Sequence, residues 1–318
     1  MRIPRLTRAC IPCASASAPK NGKSRKPSKN AGNEAYQMRV NRFYRKDAEL
    51  PYIDTGGNGP LLHLSHANGL PAFAYEPLIK DLARDFRVVA LGHRGQLGGA
   101  SVIKDWHQLA RDIIAFLEWL DAGKAYHVGH SIGAVAGMFA AARRPDLFSR
   151  LLMIDPVLLS SKICAQIRAA RLLGLKSYHP LARRARNRRN AWADKQEAFE
   201  FFKTRSLFKT WREDFLRAYV HHCLVPAPHG GGVVLLCPPE AEARGFENYS
   251  PDVWAWPARV TSFTMILRGE HSDTLTHDCF DRFRRLCRGC ASLEVKGAGH
   301  LIPMEKPDKT LDIIRKFF

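Results

Sequence analysis

Residues 125–134, with the sequence AYHVGHSIGA, decide how this 318-residue chain folds. Residues 125–128 are typical of a short buried strand, and they run into a GHSIG motif at 129–133 and then into a stretch of small residues. A strand that turns into a helix over so few residues strains its central residue and presses the chain against its neighbours, so glycine is favoured two positions on either side. The pattern therefore predicts that Ser131 projects its hydroxyl from the apex of a sharp turn.

Apolar stretches on both sides of this turn predict the strands of a sheet. They lie at 38–44, 50–54, 61–64, 86–91, 151–154, 261–267 and 292–295. Continuous apolar runs such as FRVVAL at 86–91 are typical of parallel strands that are covered on both faces. Helices are predicted at 78–84, 106–120, 131–143, 280–287 and 307–317. The segment TGGNGP at 55–60 predicts a turn between hairpin strands. The chain is therefore expected to belong to the α/β class.

In this setting the GHSIG motif resembles the nucleophile elbow of the α/β-hydrolase family, and in particular of its esterase-like members that carry a lid. The resemblance implies a mostly parallel eight-stranded sheet with helices on both faces and an inserted helical lid. We expect the core at 36–156 and 257–318, and the lid at 157–256. Five residues of this lid segment fall on one stripe at helical spacing: Phe208, Trp211, Phe215, Tyr219 and His222.

A catalytic triad is expected because a serine hydroxyl needs a base to activate it and a carboxylate to orient that base. Ser131, Asp273 and His300 each follow a predicted core strand, in the order serine, acid, histidine that this fold requires. The segment GAGHLIPMEKP at 297–307 resembles the histidine loop of the family. We expect Asp273 to be the acid. Asp155, after the preceding core strand, is the alternative, since some members of the family carry their acid there.

An oxyanion hole is expected from two backbone N–H groups, which stabilise the charge of a tetrahedral intermediate. One is that of Ile132, beside the nucleophile at a helix start. The other is assigned by resemblance to Asn68, in the loop SHANGLP at 65–71, where Ala67 replaces the usual glycine of the family. His66 is expected to brace this loop and to contribute to substrate binding. Trp211 and Phe215 of the lid are expected to contact an apolar acyl group.

The expected function is that of a serine hydrolase that cleaves a carboxylic ester, or a related acyl bond, through an acyl-enzyme and without a cofactor. Dehalogenases and epoxide hydrolases of this fold have an aspartate at the elbow, so Ser131 excludes their mechanisms. Two alternatives stay open. One is a carbon–carbon bond hydrolase or perhydrolase with the same triad, and the other is a non-catalytic ligand-binding protein on the same scaffold.

The net charge of the chain is +19, and two clusters of basic residues contribute to it. Residues 1–33 contain eight Lys or Arg and no acid. We therefore expect residues 1–35 to be a disordered leader that resembles a mitochondrial transit peptide, although a true start at Met38 would look the same. The expected location is cytoplasmic, with mitochondrial as the alternative.

The second cluster is expected to be a solvated helix face of the lid: Arg183, Arg184, Arg186, Arg188 and Arg189. No nucleic-acid partner is expected.

Other motifs are assigned structural roles. The pairs Cys10/Cys13 and Cys287/Cys290 have the spacing of a zinc half-site but lack histidines at zinc spacing, so reduced thiols and no metal site are expected. His93 is expected to be structural. The HGGG segment at 229–232 is expected to be a turn before a strand at 233–236. No stretch approaches the length of about 18 apolar residues that a membrane span needs.

Overall fold

The computed structural model describes residues 39–96, 102–174 and 179–318. The predicted leader, Met38 and the Cys10/Cys13 pair lie outside these ranges. The strands are β1 (Arg39–Arg45), β2 (Ala48–Asp54), β3 (Leu61–Ser65), β4 (Arg87–Leu91), β5 (Ala125–His130), β6 (Phe148–Ile154), β7 (Ala191–Trp192), β8 (Leu224–Pro226), β9 (Val233–Leu235), β10 (Phe263–Gly269) and β11 (Ala291–Val295).

Eight of these strands form the main sheet, in the order β1-β2-β4-β3-β5-β6-β10-β11. The pairs β1/β2 and β2/β4 are antiparallel, and all other neighbours are parallel. The predicted mostly parallel eight-stranded sheet is confirmed. The prediction that residues 55–60 join hairpin strands is wrong, because they connect β2 to β3 and β4 lies between those two strands.

The helices are α1 (Glu76–Leu82), α2 (Trp106–Leu120), α3 (Ile132–Arg143), α4 (Ser161–Leu172), α5 (Pro180–Arg186), α6 (Lys195–Lys203), α7 (Glu213–His222), α8 (Pro239–Glu247), α9 (His277–Leu286), α10 (Ile302–Glu305) and α11 (Pro307–Phe317). Short 3-10 turns occur at Ala72–Tyr75, Pro145–Leu147, Ser206–Phe208, Val253–Ala255 and Pro257–Arg259.

The sheet is covered on both faces, as the alternation of side chains along a strand requires. Val88 and Ala90 of β4 face the cluster that includes residues of α1, α7 and α11. Val89 and Leu91 face the cluster that includes residues of α2, α3 and α9. A strand buried on both faces has to be apolar throughout, which explains the uninterrupted run predicted at 86–91.

The segment between β6 and β10 is not purely helical. Besides α4 to α8 it contains a second, three-stranded sheet in the order β7-β9-β8. The predicted aromatic stripe is also broken, because α7 begins only at Glu213 and Phe208 ends a 3-10 turn. Phe208, Trp211 and Tyr219 nevertheless pack together, with ring centroids 4.7 to 5.9 Å apart. The backbone is extended at Arg212, between the turn and the helix, so the three rings do not lie on one continuous helix face.

Within the described residues, no helix combines the length and the apolar character that crossing a bilayer requires. The six cysteines in those residues are free thiols. The same part of the chain contains no group of three or more potential ligands that could hold a metal ion.

Candidate active site

Ser131 occupies the turn between β5 and α3, with a left-handed φ of 58° that is costly for a residue with a side chain. The neighbouring glycines explain how the turn is accommodated. A Cβ on Gly129 would lie 2.5 Å from the Cα of Ala134, and one on Gly133 would collide with the carbonyl oxygen of Ser65 in β3. The elbow therefore has the geometry that the GHSIG motif predicts.

His300 connects Ser131 to a buried carboxylate. Its Nε2 lies 3.0 Å from Oγ of Ser131, and its Nδ1 lies 2.7 Å from Oδ2 of Asp155. With the Ser131 hydroxyl donating to Nε2, the Nδ1–H of His300 donates to the carboxylate. Asp155 is completely buried, and Ser131 is only 5% exposed. This arrangement can accept the serine proton and hold the imidazole in one tautomer.

The expected acid, Asp273, does not occupy this position. Asp155 directly follows β6, the neighbour of the strand that carries Ser131, and the structure brings it to His300. Asp273 lies four residues beyond the end of β10, where it is exposed and accepts a hydrogen bond from the Thr274 hydroxyl. The assignment to Asp273 is corrected, because the loop after β10 turns this side chain toward solvent.

Two further donors hold the Asp155 carboxylate in place. The backbone N–H of Gly269 donates to Oδ1 at 2.8 Å, and the hydroxyl of Ser272 donates to Oδ2 at 2.6 Å. Asp155 itself has a φ of 41°, the second non-glycine residue of the site in the left-handed region. The loop after β10 thus supports the Asp155 carboxylate and does not supply the carboxylate that contacts His300.

The loop that carries His300 is held by Glu305. Its carboxylate accepts the backbone N–H of Gly299 at 2.6 Å and that of Leu301 at 3.1 Å, so the residues on both sides of His300 are fixed. Sequence analysis did not assign a role to Glu305, although the family-like segment at 297–307 contains it.

The loop after β3 lies beside the nucleophile, as the contact between Gly133 and Ser65 requires. Ile132 is the first residue of α3, so its N–H belongs to the first turn, which has no acceptor within the helix. Asn68 lies in the β3 loop. Its side chain accepts from Nε2 of Gln96 at 2.5 Å and donates to the carbonyl of Glu242 in α8 at 2.9 Å. Asn68 therefore joins the loop to the lid segment.

His66 braces the same loop from inside. Its Nδ1–H donates to the carbonyl of Ala67 at 2.8 Å, and its Nε2 accepts the N–H of His93 at 3.0 Å. Burial lowers the pKa of His66 to about 4, so the ring is neutral near pH 7. The side chain has no exposed surface. The expectation that it contacts the substrate is therefore corrected, whereas the bracing contacts are present. His93 is likewise buried and hydrogen-bonded to Ser65.

Tyr75 and His130 form a link that sequence analysis did not single out. The Tyr75 hydroxyl accepts the N–H of Ala67 at 3.1 Å and lies 2.6 Å from Nδ1 of His130. Nε2 of His130 lies 3.0 Å from the carbonyl oxygen of His300. The position of His130, directly before the nucleophile, was the signal in the sequence, while Tyr75 had none.

The lid residues assigned to substrate binding are mostly buried. Phe215 is completely buried, so its side chain has no surface to offer a substrate here, and this assignment is corrected. Trp211 is 7% exposed and packs on Phe208 and Tyr219. Its contact with substrate stays a prediction.

Two arginines of the basic cluster in the lid segment, Arg186 and Arg188, are paired with carboxylates of α8. Arg186 binds Glu240 and Glu247 of α8, and the side chain of Arg188, 25% exposed, lies 2.8 Å from Glu242. The expectation of a freely solvated face is therefore wrong for these two arginines. They fasten α5 and the residues after it to α8.

Comparisons with known proteins agree with this geometry. The family model described as "Alpha/beta hydrolase family" matches residues 61–313. The 2-(acetamidomethylene)succinate hydrolase of Mesorhizobium japonicum is 26% identical over 268 residues, which is 82% of this chain and 88% of that protein. A probable esterase of Oryza sativa subsp. japonica is 30% identical over 115 residues, 33% of this chain, and this match spans only 41% of the rice protein.

Among solved structures, that of E-2-(acetamidomethylene)succinate hydrolase superimposes with a TM-score of 0.71 at 24% identity, covering 88% of this chain and 99% of the other. This likeness shows the shared fold. The family model covers most of the chain. The structure also has the mostly parallel eight-stranded sheet and the sharp strand-to-helix turn at Ser131 that are expected of this fold. The chain is therefore a member of the alpha/beta hydrolase family and an enzyme of that family.

Proposed function

We propose that the protein is a serine hydrolase that cleaves a carboxylic ester or a related acyl bond of a small molecule, with Ser131 as nucleophile, His300 as general base and acid, and Asp155 as the orienting carboxylate. The observation that carries this proposal is the continuous contact from Oγ of Ser131 through the His300 ring to the buried Asp155 carboxylate.

The first half of the reaction forms an acyl-enzyme. His300 Nε2 takes the Ser131 proton as Oγ attacks the substrate carbonyl, and the imidazolium that results is stabilised by Asp155. The backbone N–H groups of Ile132 and Asn68 are proposed to donate to the oxyanion. His300 then returns the proton to the leaving oxygen, and the carbon–oxygen bond of the ester breaks.

The second half releases the acid. Water loses a proton to His300 as it attacks the acyl carbonyl, and the proton returns to Oγ of Ser131 when the acyl–serine bond breaks. The enzyme is regenerated, with one ester bond and one water consumed, so no cofactor is required.

The test is an activity series on 4-nitrophenyl esters of increasing acyl length, with matched amides in parallel, and with Ser131→Ala as the control. We expect turnover of at least one ester, loss of nearly all of it in Ser131→Ala and in His300→Ala, and labelling of Ser131 by a fluorophosphonate probe. Normal turnover in Ser131→Ala, or a label on another serine, would overturn the proposal.

A further inference from the structure

We propose that Tyr75 and His130 are positioning residues. Through one series of hydrogen bonds they join the loop after β3, which carries Asn68, to the loop that carries His300. This inference rests on the function proposed above. It concerns two residues whose side chains bind the Ala67 N–H, each other and the His300 carbonyl, so it extends the site beyond Ser131, His300 and Asp155.

The direction of every hydrogen bond in this series follows from the groups involved. The Tyr75 oxygen accepts the Ala67 N–H, and its single proton is then free to be donated to Nδ1 of His130. Because Nδ1 is the acceptor, the proton of the neutral imidazole is on Nε2, and it is donated to the His300 carbonyl. Each donor and acceptor in the series is satisfied in this one arrangement.

His130 keeps this tautomer because it stays neutral. Burial, together with the charge of the nearby His300 ring, lowers the pKa of His130 to about 3. The two ring centroids are 5.2 Å apart. His300 can therefore take up the serine proton during the reaction without a competing positive charge on its neighbour.

The two ends of this series of hydrogen bonds belong to segments that are far apart in the sequence. Ala67 precedes Asn68, the proposed oxyanion donor of the β3 loop, and the His300 carbonyl belongs to the residue that carries the base. Tyr75 is completely enclosed, at 1% exposure, and His130 is at 2%. Such burial shields these hydrogen bonds from solvent, so they can hold the proposed oxyanion donor at a fixed distance from His300.

A merely structural role would give a different result from a positioning role. Tyr249 offers a matched control, because it too is buried, at 2% exposure, and its hydroxyl accepts a backbone N–H, that of Leu159, at 3.2 Å. It packs on Trp106, and the two belong to the cluster on the other face of the sheet. Replacing either tyrosine with phenylalanine removes one hydroxyl and keeps the ring.

The first experiment compares kcat, KM and Tm of Tyr75→Phe and Tyr249→Phe on an ester that the wild-type enzyme hydrolyses. We expect kcat of Tyr75→Phe to fall about 10-fold with KM changed less than twofold, because small displacements of reacting groups cost up to about 10²-fold. Tyr249→Phe should keep the wild-type kcat while losing a comparable amount of Tm. An unchanged kcat in Tyr75→Phe, or an equal fall in both variants, would overturn the inference.

The second experiment separates the two ends of His130. In His130→Gln the longer side chain places an amide near Nε2, where it can donate to the His300 carbonyl, whereas in His130→Asn the amide lies near Nδ1 and reaches only Tyr75. We expect the Gln variant to retain several-fold more kcat than the Asn variant. The opposite order would show that the bond to His300 does not matter.

Failure of the proposed function gives a separate result. In that case the wild-type enzyme itself would neither turn over any ester nor be labelled at Ser131. The inference about Tyr75 and His130 fails separately, when the wild-type enzyme is active and the Tyr75→Phe or His130 variants give one of the contrary results named above.

Discussion

At the scale of single residues, the positions of the proposed nucleophile and base follow from local sequence, whereas that of the proposed acid does not. GHSIG and GAGHLIP each contain the glycines that their tight turns need, so the motif and the geometry coincide. Asp155 and Asp273 both follow core strands, so the sequence alone offers both as candidates for the acid. Which of them reaches His300 depends on the course of the loop after β10, and that course is fixed by tertiary contacts such as the Ser272 hydroxyl on Asp155.

The acid is tested by two matched substitutions. Asp155→Asn should lower kcat by about 10³- to 10⁴-fold, because the amide leaves His300 without the carboxylate that sets its tautomer. Asp273→Asn should leave kcat within about twofold, since its side chain is exposed. Steady-state kinetics on one ester, with circular dichroism to check folding, provides the measurement. A severe loss in Asp273→Asn alone would return the acid to that position.

At the scale of helices and strands, the apolar pattern of the sequence identified most elements, and it failed where the helical backbone is interrupted before α7. The bounds predicted for α2 from apolar spacing, and for α11 as a segment that starts with proline, match the structure. The predicted stripe from Phe208 to Tyr219 assumed one continuous helix. Because the helix begins only at Glu213, Phe208 and Tyr219 do not lie on one helix face. The small sheet of the lid segment was missed in part because β7 has only two residues and β8 and β9 three each.

One ion pair between elements should be far more important than the exposed pairs of the lid. Arg94, after β4, binds Asp112 of α2 through two bonds of 2.5 and 2.7 Å, and both side chains are at most 4% exposed. Asp112→Ala should lower the free energy of unfolding by about 3 kcal/mol, because the guanidinium loses its buried partner.

The control for this ion pair is Glu213→Ala, which breaks an exposed pair with Arg217 and should cost less than about 1 kcal/mol. Urea titration of both variants gives the two values. Equal losses would mean that the Asp47 carboxylate, which also binds Arg94, compensates for Asp112.

At the scale of the whole molecule, the fold class was predictable because it depends on the alternation of apolar strands and helices along the entire chain. The interior also contains a group of buried histidines that the composition of the chain did not predict. Five histidines in or beside β3, β4 and β5 are buried, and burial lowers the pKa of each below its ordinary value of 6.5: His63, His66, His93, His127 and His130. Histidines that contact one another, such as His63 and His127 at 3.0 Å, cannot be paired from the sequence.

These histidines predict a marked acid sensitivity. Below pH 6.5 the unfolded chain binds protons that the folded chain does not, so stability is complete above about pH 7 and falls as the pH drops toward 4. His66 and His127, whose pKa values burial lowers to about 4, should each contribute a loss of up to about 1.4 kcal/mol per pH unit between pH 6.5 and 4.

Thermal unfolding at pH 7.5, 6.5 and 5.5 measures this effect, and Tm should fall steeply over the last step. His277→Gln, a change at an exposed helix end, should leave the profile unaltered. A Tm that is constant from pH 7.5 to 5.5 would contradict the neutral, buried state of these rings.

The position of Asp155 at the end of β6 has a practical consequence. Since Ser131 and Asp155 both precede the long segment between β6 and β10, and His300 follows it, a cut in that segment would divide the proposed triad between two polypeptides. Neither piece would hold a nucleophile together with its base. Restored ester cleavage would then report that two fused partners had come together, which makes this chain a candidate scaffold for a split-enzyme sensor.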